Sequence, residues 1–281
     1  MTVQIALSDE AAAPHKDLGG GLHEVASDIA YLRAMLVNVI LVGPPGAGDR
    51  GWVLVDTGVT GTKSAILKAV ESRFGGSRPA AIVQTHGHFD HVGALVDLSE
   101  MWDAPVLAHQ AELPFLDGQQ SYPPPDTKAG GGIMPKLASL FPTAPVDVAQ
   151  RLSALPADGT VPHLPDWRWI HTPGHTPGHV SLWRAQDRTL IAGDAFITTG
   201  QESAYEVAMQ TLEMHGPPRY FTPDWPSAAA SVAKLAALEP QLVVTGHGRP
   251  AAGPVMRQAL RELATDFENI AVPEHLRHSH L

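Results

Sequence analysis

The chain is punctuated by runs of branched apolar residues that stop abruptly at Gly, Pro or Asp. In the first half such runs cover about 35–43, 51–56, 80–85 and 105–109, and each reads as a buried strand. Between them, over about 61–74 and 92–102, apolar positions recur every three or four residues, the spacing of a helix with one buried face. Past residue 166 the alternation returns, with strands near 167–171, 179–184, 189–193 and 241–245 and helices near 226–238 and 254–269. Strand and helix alternating over this length predict helices layered on sheet.

The stretch between these halves, about 112–166, has no such pattern. It holds YPPPD, AGGG and scattered prolines around one short amphipathic piece at 134–140. A segment this long without elements of its own reads as a binding loop or cover. Because it follows the first histidine cluster, the expectation is a lid-like insert within a single domain spanning 1–281.

Composition narrows the chemistry. At 281 residues and 44% hydrophobic, the chain can bury a sizeable core. Lys plus Arg total 19 against 29 Asp plus Glu, a formal charge of -10 with no basic stripe, which argues against nucleic acid as a partner. There are no cysteines, so disulfides, thiolate nucleophiles and cysteine-held zinc are excluded. The opening MTVQIALSDE lacks the basic and apolar regions of a secretory signal, and no apolar run reaches membrane-spanning length. The expectation is a cytoplasmic protein with a small-molecule substrate and no membrane partner; a homodimer is left open.

The 15 histidines are the compositional oddity. Three, His275, His278 and His280, read as a solvated tail. Most of the others of interest fall just after a strand signal, as do the aspartates: Asp56 after WVLV, His86, His88, Asp90 and His91 in THGHFDHVG, His175 after WRWIHTPG, Asp194 after TLIAG, and His247 after LVVTG. Strand ends on one rim of a sheet are where open α/β architectures place their sites. His86, His88, Asp90, His91, His175, Asp194 and His247 are seven nitrogen or oxygen donors, too many for one tetrahedral zinc and suited to two ions that share a carboxylate. Two such ions lower the pKa of a bridging water so that hydroxide serves as nucleophile, and Asp90 can also shuttle the proton.

THGHFDHVGA, TPGHTPGHVSLW, LIAGDAF and VVTGHG, in that order, resemble the signature loops of the metallo-β-lactamase superfamily, in its lactonase and glyoxalase II-like branch. The resemblance implies an α+β fold, a four-layer αββα sandwich of two mixed β-sheets flanked by helices. It implies one ion at His86, His88 and His175, a second at Asp90, His91 and His247, and Asp194 bridging them. It also implies that Asp56 supports a metal-bound histidine. The cofactor expectation is two divalent ions, zinc first, with manganese or iron as alternatives.

The expected reaction is hydrolysis of a lactone, ester or thioester. Tyrosine donates to the oxyanion in the family's lactonases, which makes Tyr205 and Tyr220 the candidates here. The alternatives are a mononuclear iron persulfide dioxygenase-like oxidoreductase and a phosphodiesterase. His109, His163, His171, His179 and His215 read as structural or surface residues.

Overall fold

A computed structural model describes residues 5–129, 143–200 and 211–277. By its internal contacts the chain divides into two compact units, each assembled from separate stretches. The N-terminal unit takes Pro14–Tyr122 and Thr143–Trp169; the C-terminal unit takes Met1–Ala13, Pro123–Pro142 and Ile170–Leu281. Short strand β1 (Ile5–Ala6) belongs to the latter.

The N-terminal unit is built on an eight-stranded sheet in the sequential order β2 to β9. Its strands are β2 (Lys16–Gly19), β3 (Leu22–Ala26), β4 (Ile29–Ala34), β5 (Val37–Val42), β6 (Val53–Val55), β7 (Ala81–Val83), β8 (Val106–Ala108) and β9 (Leu152–Ala154). Neighbours run antiparallel as far as β6 and parallel from β6 to β9. Parallel pairing requires crossovers, and helices α1 (Lys63–Phe74) and α2 (Leu95–Trp102) supply those from β6 to β7 and from β7 to β8.

Helix α1 buries Ile66, Ala69, Val70, Arg73 and Phe74, one face at three- and four-residue spacing, and Gly75 closes it in the left-handed conformation. That face packs with Leu95, Leu98 and Trp102 of α2 against Leu32, Val39, Leu41, Leu54, Ile82 and Val106 of the sheet. On the opposite face Ile40, Val42, Val53 and Val55 are buried too, so these strands are apolar on both faces apart from the buried Asn38.

Within the stretch expected to lack elements lie α3 (Leu113–Leu116), the edge strand β9 and β10 (Thr160–Val161); β11 (Leu164–His171), which pairs with β10, begins there and runs through the strand expected at 167–171. The piece at 134–140 is outside the described residues.

In the C-terminal unit, β12 (Val180–Arg184) and β13 (Thr189–Gly193) form a hairpin. β14 (Glu213–Met214) pairs with β1. Strand β15 (Leu242–Thr245) runs parallel to β13, and β16 (Ala251–Ala252) returns antiparallel to β15. Helices α4 (Trp225–Ala236) and α5 (Gly253–Thr265) cover this sheet, with Val232, Leu235, Leu260 and Leu263 packed on Leu190, Ala192 and Val243. Asp224 accepts from the Ser227 amide and fixes the start of α4. The short α6 (Phe267–Ile270) ends the helical region. The fold is therefore α+β, with mixed sheets and flanking helices, as expected. Among the described residues no helix is long and apolar enough to cross a membrane.

Candidate metal centre

In the N-terminal unit the chemistry starts where β6 and β7 end side by side. Asp56, just past β6, sits at φ 60, a left-handed conformation that costs a non-glycine residue free energy. Its carboxylate recovers that cost through three bonds: the Thr85 amide, the Thr85 hydroxyl and Nδ1 of His91, each at 2.8 Å. Thr57 donates its amide and hydroxyl to the His91 carbonyl at 2.7 and 2.8 Å. The histidine loop is thereby stitched to both strand ends. It places the His86 and His88 rings 4.8 Å apart and the His86 and His91 rings 4.1 Å apart, all three buried. Asp90, on the same loop, is partly exposed. Gly93 closes the loop: a Cβ there would lie 2.0 Å from the Val59 carbonyl carbon, so no side chain fits.

The hydrogen bonds fix the histidine tautomers. Thr85 spends its proton on Asp56, so at 3.0 Å it accepts from Nδ1 of His86. Asp56 likewise accepts from Nδ1 of His91. Both rings then carry the lone pair on Nε2, the arrangement of a metal-ligating histidine held by an outer carboxylate or hydroxyl.

The C-terminal unit carries its candidate ligands on three separate loops. His175 follows β11; Thr222 donates to the Pro218 carbonyl at 2.7 Å and so accepts from His175 Nδ1 at 3.0 Å. Asp194 follows β13, its amide donated at 2.9 Å to Nε2 of His179, whose Nδ1 lies 2.8 Å from the Thr172 hydroxyl. His247 follows β15, its carbonyl accepting from the Thr245 hydroxyl at 2.6 Å. Nε2 of His175 and of His247 lie 3.6 and 3.1 Å from the same Asp194 oxygen, Oδ2, and all three residues are buried.

The donor set fits a metal ion. With its proton on Nδ1, His175 turns a lone pair toward a carboxylate oxygen, and two acceptors at that distance repel unless a cation or proton lies between them. Imidazole and carboxylate donors suit zinc, manganese and iron alike.

His179 has both nitrogens engaged around Asp194, a positioning role. His109 caps a turn by accepting from the Ala111 amide, His171 reaches the Pro177 carbonyl, and His215 the Gly216 carbonyl. His163 occupies a turn at φ 67. His275 pairs with Asp126 at 2.9 Å, whereas His278 and His280 are outside the described residues. Tyr220 is buried against Ala129 and Phe221; Tyr205 is outside the described residues.

Sequence reasoning missed Glu112 and Tyr122, which meet the histidine loop in the N-terminal unit. Burial first, then the adjacent Glu112 carboxylate, push the Tyr122 phenol well above its ordinary pKa, so it remains a proton donor. A lone Glu and a Tyr ahead of PPP give no spacing signal.

The chain matches the metallo-beta-lactamase superfamily over residues 32–247. It is 45% identical over 254 residues to the probable metallo-hydrolase YflN of Bacillus subtilis, covering 89% of this chain and 95% of that protein. It is 27% identical over 168 residues to a hydroxyacylglutathione hydrolase of Bdellovibrio bacteriovorus, with 57% of this chain and 51% of the relative covered. Among solved structures it resembles TTHA1623 in a di-iron-bound form, with TM-score 0.52, 27% identity, and coverage of 82% of this chain and 95% of the other. This chain belongs to the metallo-beta-lactamase superfamily and is a metal-dependent hydrolase.

Proposed function

We propose that the enzyme uses two divalent ions to hydrolyse a small-molecule lactone, ester or thioester. His86, His88 and His175 hold one ion, Asp90, His91 and His247 the other, and Asp194 is shared. The observation that carries this reading is the convergence of His175 and His247 through Nε2 on one Asp194 oxygen. The family match supports it by spanning all seven residues. Bound ions would make water nucleophilic near neutral pH and polarise the attacked oxygen.

The chain's own side chains position the ligands and move a proton. Asp56, Thr85 and Thr222 hold the rings with Nε2 forward. Asp90 takes the proton of the attacking water on its carboxylate and returns it to the leaving group. Of the two candidates, Tyr205 and Tyr220, we assign Tyr220, two residues before Thr222, to the developing oxyanion; Tyr220→Phe should lower turnover and leave metal content unchanged. The relative named hydroxyacylglutathione hydrolase favours an acyl substrate. The charge of -10 favours a small molecule over a polyanion.

The test is to strip the protein with a chelator, restore zinc, manganese or iron singly, and assay lactones, esters, thioesters and phosphodiesters. Carbonyl-substrate hydrolysis that returns with the second metal equivalent is expected. Oxygen consumption at one iron per chain, or cleavage of phosphodiesters alone, would contradict the reading.

A further inference from the structure

Gly87, between His86 and His88, donates its amide to two acceptors at once: Glu112 Oε2 at 3.0 Å and the Tyr122 hydroxyl oxygen at 2.9 Å. The Tyr122 hydroxyl donates in turn to the same Glu112 oxygen. Carboxylate, phenol and backbone amide thus close a buried triangle, with Glu112 fully buried and Tyr122 at 8% exposure. The Tyr122 ring lies 4.4 Å from the His88 ring on one side and stacks at 4.0 Å on Phe115 on the other. The fit leaves no room at residue 87, where a Cβ would come within 2.8 Å of the Tyr122 hydroxyl and 3.2 Å of a Leu116 methyl. The glycine of His-Gly-His is therefore demanded by the tyrosine.

We infer that Glu112 and Tyr122 are positioning residues that set metal affinity through His88. The inference rests on the two-ion reading above. Glu112 pins the backbone between two proposed ligands, Tyr122 fixes the His88 ring plane by contact, and the buried carboxylate adds negative charge behind a site meant for cations. The Tyr122 hydroxyl is occupied by this clamp, which makes the residue a support for the ligand loop. Loss of an outer partner of this kind lowers metal affinity by about 10- to 100-fold.

Tyr122→Phe keeps the ring between His88 and Phe115 and removes only the hydroxyl; Glu112→Gln keeps the shape and removes the charge. Each full-length variant, freed of metal, is titrated with zinc against a chromophoric chelator, alongside a thermal melt of the metal-free protein and the absorption spectrum of the cobalt(II) form. The expected result is wild-type affinity at one site, about 10- to 100-fold weaker binding at the other, and changed cobalt bands, in a protein that still melts cooperatively. If one variant fails to fold, the other decides. Unchanged affinity at both sites in a folded variant would overturn the clamp while leaving the two-ion reading intact. A wild-type protein that takes up no metal would remove that reading and the clamp with it.

Discussion

The two units present metal-binding chemistry in opposite ways. In the N-terminal unit four candidate ligands lie within six residues, and one carboxylate, Asp56, ties their loop to β6 and β7. In the C-terminal unit three candidate ligands come from three distant loops, and each has its own support: Thr222 for His175, His179 for Asp194, and Thr245 for His247. A contiguous ligand loop can be rigidified once, whereas dispersed ligands must be rigidified one by one. Damage should therefore spread widely in the first unit and stay local in the second.

The strongest way to break that contrast is Asp56→Ala. It strands buried donors at Thr85 and His91 and should cost about 3 kcal/mol in urea unfolding of the metal-free protein, because each orphaned buried donor costs about 1–3 kcal/mol. A loss below about 1 kcal/mol would show that the loop does not depend on this carboxylate. His179→Leu leaves the Asp194 amide and the Thr172 hydroxyl without their ring partner, and about 1–3 kcal/mol should be lost by the same measurement. Because Asp194 is the shared ligand, metal binding at both sites should weaken with it, while the hydrogen bonds that hold His175 and His247 stay in place.

Thr222→Val removes the acceptor for His175 Nδ1. Zinc affinity at one site should fall about tenfold, with stability changed by no more than about 1 kcal/mol. Equal weakening at two sites would erase the distinction between the units.

The smallest effect is on the surface. Arg78, mainly through its side-chain hydrogen bonds, lowers the Asp49 carboxyl from 3.8 to about 2. A depressed carboxylate pKa stabilises the fold above its unfolded value, so this contribution is complete above about pH 4 and fades as pH falls through about 2. Acid unfolding of Asp49→Asn should differ slightly from wild type above pH 4 and converge with it near pH 2.

The same contrast explains what could be read from sequence. THGHFDHVG is legible because its ligands are neighbours, and β5, β7, β13 and β15 are legible because burial on both faces makes them mostly apolar runs. β2 and β9 sit at the sheet's edges and are mostly exposed, so no apolar run announces them. Helix α2 starts at Leu95, later than periodicity suggests, because Val92 and Gly93 are taken up by loop bonds to His88 and Gly58. The pattern at 254–269 is broken near Asp266 into α5 and α6. Glu112 and Tyr122 were illegible because their target, Gly87, lies 25 and 35 residues away and is reached through its backbone.

The central claim is a pair of ions joined by one carboxylate, and the most direct measurement is plasma mass spectrometry of metal per chain in wild type and Asp194→Ala, purified without added zinc or nickel. The account predicts about two equivalents in the wild type and depleted occupancy of both sites in the variant. Two equivalents retained by Asp194→Ala, or a wild type that holds a single ion, would contradict it.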